Sequence, residues 1–197
     1  MASFQGVHGA VTALADRLTA RLPEPWRSGS TTARVTVLGS ADLSEALSGN
    51  QLGLYLYRIA VDPHGRNRRT PAPGPAGVGA EPDRELPVNL HLLLIANAAS
   101  AALEADLLAW AMLEIANEPL LDLAALVEHD AEWRSAEQAS IAPEDISIED
   151  QMRIWDRLGA DFTLSAAYVI RTLQLRLRPD ATSHGPVRSR VFPSGTV

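Results

Sequence analysis

The sequence predicts an α/β (α+β) fold, a single domain in which a mainly antiparallel or mixed sheet of about four to five strands packs against helices. Three observations support this prediction. The composition, 46% hydrophobic and 21% charged, is typical of a globular domain. A chain of 197 residues suits one hydrophobic core and is short for two full-sized domains. Apolar residues recur with the period of a helix in some segments and of a strand in others.

The N-terminal segment has a helical period. Its apolar residues recur at intervals of three and four positions: Phe4, Val7, Val11, Leu14 and Leu18. This spacing places them on one face of an amphipathic helix. Pro23 and Pro25 end that helix, because proline lacks the amide donor and clashes with the preceding turn.

Three strands are predicted next. Residues 33–38 alternate and are β-branched, and residues 39–50 form a polar connection. Residues 51–59 are apolar or aromatic on both faces, which is typical of a central strand. Residues 87–96 are nearly all apolar around His91 and predict the third strand.

The segment 62–86 predicts a long flexible loop. It is rich in Pro and Gly, and Arg66, Arg68 and Arg69 precede the richest part. Loops of this length in a compact domain are usually functional or disordered. We favour an arm that becomes ordered on assembly, and a disordered excursion is the alternative.

From Ser100 the apolar period becomes helical and continues to Pro119. Residues 120–127 predict a further short turn of helix, whereas residues 128–143 are polar and ambiguous.

Ile146 and Ile148 suggest a short strand. Ser147, with Asp150 three residues later, resembles a capping box for a helix that continues to Leu158.

The last element, residues 163–178, predicts a long strand with an irregularity. Its apolar residues occupy even positions up to Ile170 and odd positions from Leu173. A strand changes face in this way through a bulge near Arg171 and Thr172, or when something other than its own core covers its far half. The far half therefore contributes candidate subunit contacts: Arg171, Leu173, Leu175, Arg176, Leu177 and Arg178.

These elements place one domain over residues 1–178. The tail, residues 179–197, is rich in Pro, Gly and Ser, and we expect it to be disordered or to dock on a neighbour.

Charge is unevenly distributed along the chain. Residues 100–150 hold 13 acidic residues and one Arg, within a net charge of −7. This block is either a solvated helix face or a surface that meets a basic surface of a neighbouring subunit. It would repel a phosphate backbone, so no nucleic-acid partner is predicted.

Neither a targeting segment nor a membrane span is indicated, because no run of about 18 apolar residues lacks a charge. We therefore expect a cytoplasmic protein with no membrane partner.

The sequence shows no arrangement of residues that is typical of a catalytic site. The chain has no Cys, and its five His residues are scattered without paired spacing. His91 lies in an apolar strand and is interpreted as a core histidine with a partner, and Glu144-Asp145 as an ordinary complement to a helix start. No catalytic, cofactor-binding or metal-binding residue is predicted. The protein is expected not to be an enzyme, with a small acidic hydrolase of unrecognised site as an alternative class.

Three stretches of the chain together resemble one family. They are LGLYLYRI (52–59) with RNR (66–68), then LPVNLHLLL (86–94) with LLAWAM (107–112) and NEPLL (117–121), and finally SIED (147–150), IWDRLGA (154–160) and SAAYV (165–169). The family is DUF4255, the Pvc16 N-terminal domain family, whose members are cap or tail-terminator proteins of extracellular contractile injection systems. The resemblance spans most of residues 4–178. The sequence departs from the family pattern at Leu93, where an aromatic residue is common, and at Thr163-Leu164, where Arg-Pro is common.

The resemblance implies a fold like that of phage tail terminators and a purely structural function. It implies a homo-oligomer, a hexameric ring on the distal end of the inner tube and sheath, with the tube and sheath proteins as partners and no cofactor. The ring would end polymerisation and fix the length of the particle. The alternative is a tube-sheath or baseplate adaptor. Trp110 and Trp155 lie on helical stripes and are predicted core residues, whereas Trp133, in a polar segment, is the candidate interface anchor.

Overall fold

One mixed sheet organises the protein. The computed structural model describes residues 3–44, 47–64, 85–122, 138–158 and 161–176. The strands are β1 (Arg34–Leu38), β2 (Gln51–Val61), β3 (Glu85–Asn97), β4 (Leu120–Asp122), β5 (Gln138–Pro143) and β6 (Ser165–Arg176). The helices are α1 (Gly6–Arg21), α2 (Glu24–Arg27), α3 (Ser40–Leu43), α4 (Ala101–Asn117) and α5 (Ile148–Leu158).

The strand order is β1-β2-β3-β6-β5-β4, and only β1 and β2 are parallel among the described neighbours. The predicted fold class is therefore confirmed, with six strands where four to five were expected. The predicted central position of β2 is also confirmed, since β2 lies between β1 and β3.

The sheet has a hydrophobic core on each face. Alternate residues of β3 project to opposite sides, so Leu92 enters the main core, which α1 and α4 cover, and Leu93 enters the second core. Trp155 of α5 is the largest residue of that second core. A strand that is buried on both faces reads as a continuous apolar run, and this explains why β3 was visible in the sequence.

The predicted helix α1 is confirmed, and it ends two residues before Pro23. Val11, Leu14 and Leu18 are buried against the sheet. The inclusion of Phe4 in this stripe was wrong, because Phe4 precedes the helix and is exposed.

Between Pro119 and α5 the sequence predictions were partly wrong. Residues 120–122 form β4 and not a turn of helix, because pairing of Leu121 with Ala139 of β5 carries Leu121 into the main core. Ile146 belongs to no strand, and Ile148 begins α5. The predicted polar connection 39–50 contains the short helix α3.

The face switch in β6 results from a β-bulge. Leu90 pairs with Ile170 and Val88 pairs with Leu173, so two residues of β6 lie opposite Asn89 alone. Ile170 and Leu173 consequently reach the same core. The bulge lies at Arg171 and Thr172, where the sequence predicted it.

Candidate assembly surface and its supporting contacts

A partly buried polar cluster ties the segment after β5 to the middle of the sheet. Glu144 follows β5, and its amide donates to the carbonyl of Ala167 at 2.9 Å. Its carboxylate lies 2.8 Å from Nδ1 of His91 and accepts a hydrogen bond from the hydroxyl of Tyr57 at 2.8 Å. Tyr57 is the extra residue at a second register shift, in β2, which turns its side chain towards His91.

The two ring nitrogens of His91 have different surroundings. Nδ1 lies against the carboxylate of Glu144, which accepts its hydrogen bond. Nε2 is buried without a hydrogen-bond partner in the described structure. Burial, with the bond to Glu144 as the second cause, raises the pKa of Tyr57.

The predicted core histidine is thus buried and has a partner on Nδ1, with His91 only 9% exposed. The interpretation of Glu144 as a complement to a helix start was wrong, because its carboxylate points at His91. The pairing was missed because the two residues are 53 positions apart and no local pattern joins them. Among the residues that the structure describes, no group of three or more acidic or His side chains is arranged to hold a metal ion.

Helix α5 combines a buried face with an exposed apolar surface. Ser147 caps the helix as predicted, since its hydroxyl accepts from the amide of Asp150 at 3.1 Å. Trp155 is buried, as predicted, and its Nε1 donates to the hydroxyl of Ser165 at 3.3 Å. Gln151 also donates to that hydroxyl, at 2.8 Å, so α5 is held at the start of β6.

Apolar side chains remain exposed around this anchored helix. Ile148 is 68% exposed, and Met152, one turn further along, is also exposed. Phe162 is exposed and packs edge-on against Trp155, with ring centroids 6.1 Å apart. Large exposed apolar residues in a cluster are typical of an interaction site. We call Ile148, Met152, Phe162 and Leu164 the α5 surface.

Part of the acidic block is neutralised within the chain. Arg21 of α1 contacts Glu114 and Glu118 of α4, and its hydrogen bond to Glu118 is the main cause that raises its pKa. Arg17 donates from Nη1 to the carbonyls of Glu118 at 3.0 Å and Leu120 at 2.9 Å. Burial lowers the pKa of Arg17. These contacts join α1 to the α4–β4 corner, and they pair two glutamates of the acidic block with Arg21.

The candidate subunit contacts on β6 differ in how far they are buried. Arg171 is exposed and pairs with Ser140 of β5, whereas Leu173 is fully buried in the chain's own core. Leu175 is half-buried and packs against that core, and Arg176 ends β6 opposite Glu85. The bulge therefore explains the burial of Leu173 without a neighbouring subunit. The other candidates lie outside the described residues: Arg66, Arg68, Arg69, Trp133, Leu177 and Arg178.

Trp110, predicted as a core residue, is half-buried and packs against the main core. It meets Trp26 edge-on with ring centroids 5.7 Å apart. No helix among the described residues is long and apolar enough to cross a membrane.

Comparison with known proteins defines the class. The family model of the Pvc16 N-terminal domain matches residues 10–189, and the chain belongs to this family. The resemblance seen in the sequence is thereby confirmed. No curated protein matches the chain significantly.

Two solved structures have a similar fold. One is the PVC sheath/tube terminator in the extended state, from a cryo-EM structure of an extracellular contractile injection system, with a TM-score of 0.57 and 17% identity over 96% of this chain and 64% of that one. The other is the tube-terminating cap of the anti-feeding prophage, AFP, with a TM-score of 0.55 and 19% identity over 94% of this chain and 59% of that one. The chain thus spans about three fifths of the length of these structures.

Proposed function

We propose that this protein is a structural cap, or tail terminator, of a contractile injection system. The observation that supports the proposal is the family match over residues 10–189, together with the fold that the chain has in common with two terminator caps. In this role the protein forms a ring of identical copies, a hexamer, on the distal end of the inner tube and sheath. Its partners are the tube and sheath proteins, and it joins the particle in the cytoplasm.

The mechanism of such a cap is geometric. The ring must bind the last layer of a helical polymer on one side and present no equivalent surface on the other, so that no further layer adds. A head-to-tail contact that closes around an axis produces a ring of this kind. The role requires no bond to be made or broken, and we propose that the protein acts without catalysis and without a cofactor.

We propose that the α5 surface takes part in the contact with the last layer. Two of its apolar side chains, Ile148 and Met152, lie on α5, a helix that Ser147 caps and that Trp155 and Gln151 fasten to β6. A rigid helix holds its exposed residues in a fixed geometry, which an interface between repeating subunits needs. Ile148 also lies within SIED, one of the motifs that carry the family resemblance.

Deletion of the gene tests the function. Particles from the deletion strain should have tubes and sheaths of uncontrolled length in electron micrographs, and the gene supplied on a plasmid should restore a defined length. Particles of normal length without the gene would overturn the proposal. Complete loss of particles would also overturn it and would favour the tube-sheath or baseplate adaptor.

A pair of variants tests the surface. Chains with Ile148→Glu and Met152→Glu together should fold, because both side chains are exposed, yet fail to restore particle length. Phe4→Glu is the matched control, an exposed apolar residue before α1 on the opposite side of the sheet, and it should restore length fully. Thermal unfolding of each purified chain checks the fold. Restoration of length by the double variant would exclude the α5 surface from the contact.

A further inference from the structure

Each of the two β-bulges of the sheet contains an exposed arginine. The first bulge lies in β2, where Tyr57 is the extra residue and Arg58 pairs with His91 of β3. The second lies in β6 at Arg171 and Thr172. Bulges are often found where a strand has to re-aim a functional side chain. Both arginines are exposed to solvent, so we asked what they could bind.

The strand pairing places both arginines on one face of the sheet. His91 lies between two residues of the main core, so it points to the opposite face, and Arg58 lies beside it on that face. Ile141 of β5 is in the main core, so Ser140 points to the opposite face, and Arg171 pairs with Ser140. We call this side of the sheet, which also carries the second core, the second face.

The two arginines flank β3. This strand lies between β2 and β6, so two strand spacings, roughly 10 Å, separate the arginines across the sheet. Two long side chains at this spacing can reach the same carboxylate, whose two oxygens accept several hydrogen bonds. Helix α5 packs further along this face, where Leu93 and Ile95 form the second core with Trp155.

The charge that this area presents to solvent comes mainly from the arginines. Glu144 lies nearby, but His91 and Tyr57 bind its carboxylate and its side chain is only 20% exposed. Burial and the bond to Glu144 raise the pKa of Tyr57, and the charge of Arg58 acts against them, which shows that this guanidinium lies near the hydroxyl. Among the described residues, neither Arg58 nor Arg171 has an ion-pair partner.

The outer face of α4 carries an acid in apolar surroundings. The exposed residues of this helix are apolar except for Asp106 and Asn117. Ala102 and Ala109 adjoin Asp106 on the helix surface, and their small side chains leave its carboxylate open to approach. A solvated helix face normally carries charged and polar residues, so this face is typical of one that another chain covers. An acid buried in such a contact needs a cationic partner.

We propose that Arg58 and Arg171 of one copy bind Asp106 of the next copy, so that the outer face of α4 docks on the second face of its neighbour. This inference rests on the proposed function, in which identical copies form a ring. Helix α4 covers the main core, whereas the arginines lie on the second face. Each copy therefore uses its two opposite sides, and the contact is head-to-tail. A head-to-tail contact closes into a ring when the rotation between copies allows it.

Charge reversal tests the contact. Asp106→Arg should weaken self-association of the purified full chain about a hundredfold or more, because it brings three like charges together. Arg58→Asp combined with Arg171→Asp should weaken it for the same reason. All three side chains are exposed, so the variant chains should fold, and thermal unfolding checks this. Sedimentation velocity and mass photometry measure the size of the assembly.

The two defective chains should complement each other. In an equimolar mixture, Asp106 of the second variant meets the two arginines of the first, and the reversed charges also face each other. The mixture should therefore assemble as well as the unchanged chain. Asp156→Arg and Arg157→Asp are the matched controls, since both residues are exposed on α5, and each should leave self-association unchanged.

Four results would overturn the proposal. They are an unchanged chain that stays monomeric at every soluble concentration, an Asp106→Arg chain that associates normally, a mixture that stays dissociated, and arginine variants that associate normally but fail to restore particle length. The last result would assign the arginines to the tube or sheath. Deletion of the gene separates this contact from the proposed function: normal particle length without the gene refutes the cap and leaves the association in solution standing.

Discussion

The hydrogen bonds of Glu144 allow a quantitative prediction about stability. The change Glu144→Ala removes the acceptor of two donors, the Nδ1–H of His91 and the hydroxyl of Tyr57. His91 is almost fully buried, so water cannot replace the lost acceptor there. A buried donor without a partner costs about 1 to 3 kcal/mol. Tyr57 is half-buried and contributes the lower end of this range.

The expected loss in the free energy of unfolding is therefore about 2 to 4 kcal/mol. For a domain of this size each kcal/mol lowers Tm by about 2 to 4 °C. Glu144→Gln should cost less than the alanine, because an amide oxygen still accepts from one of the two donors.

Urea denaturation followed by circular dichroism measures the loss as a lower midpoint at unchanged slope. Asp145→Ala is the matched control, since Asp145 is the exposed neighbour of Glu144 and should change stability by less than about 0.5 kcal/mol. A Glu144→Ala chain as stable as the Asp145→Ala chain would show that the cluster does not hold the segment after β5 to the sheet.

Three further changes test other parts of the structure. Leu92→Ala, in the main core, should lower the free energy of unfolding by about 2 to 5 kcal/mol, whereas Leu113→Ala, exposed on α4, should have little effect; equal losses would contradict the assigned core. Ser147→Ala should cost about 1 kcal/mol in the same denaturation assay through loss of the α5 cap, and an unchanged midpoint would argue against it. Because the pKa of Tyr57 is raised in the folded state, its contribution to the free energy of unfolding is complete below pH 10. This contribution is lost as pH rises above 10, because the phenol of the unfolded chain then ionises near its ordinary pKa of 10.0. Tyr57→Phe should flatten the fall in stability above pH 10 without abolishing it, since burial also raises the pKa of Tyr168; an unchanged pH profile would refute this.

Local periods in the sequence predicted most long elements. The stripe of Val11, Leu14 and Leu18 marks α1, and the apolar run around His91 marks β3. The change of parity between Ile170 and Leu173 located the bulge in β6, because side chains alternate strictly along a strand. These features depend on neighbours within one element, so a single sequence reveals them.

Short elements and long-range contacts were not accessible in this way. β4 has three residues and no period of its own, and it is a strand only because β5 pairs with it. The hydrogen-bond partner of His91 is Glu144, which follows a different strand, β5. Leu173 is a second example. The change of face along β6 suggested that it contacts a partner subunit, and only the register with β3 showed that it lies in the chain's own core.

The amino-acid sequence by itself determined the class of fold, the order of its main helices and strands, the cap of α5 and the family to which the chain belongs. The tertiary structure alone decided which strands are neighbours, which carboxylate meets His91, and which apolar residues remain exposed on α4 and α5. The physical reason is that helical and strand periods are set by residues close in the chain. Pairing and burial, in contrast, depend on which distant segments meet, and no spacing along the sequence encodes that meeting.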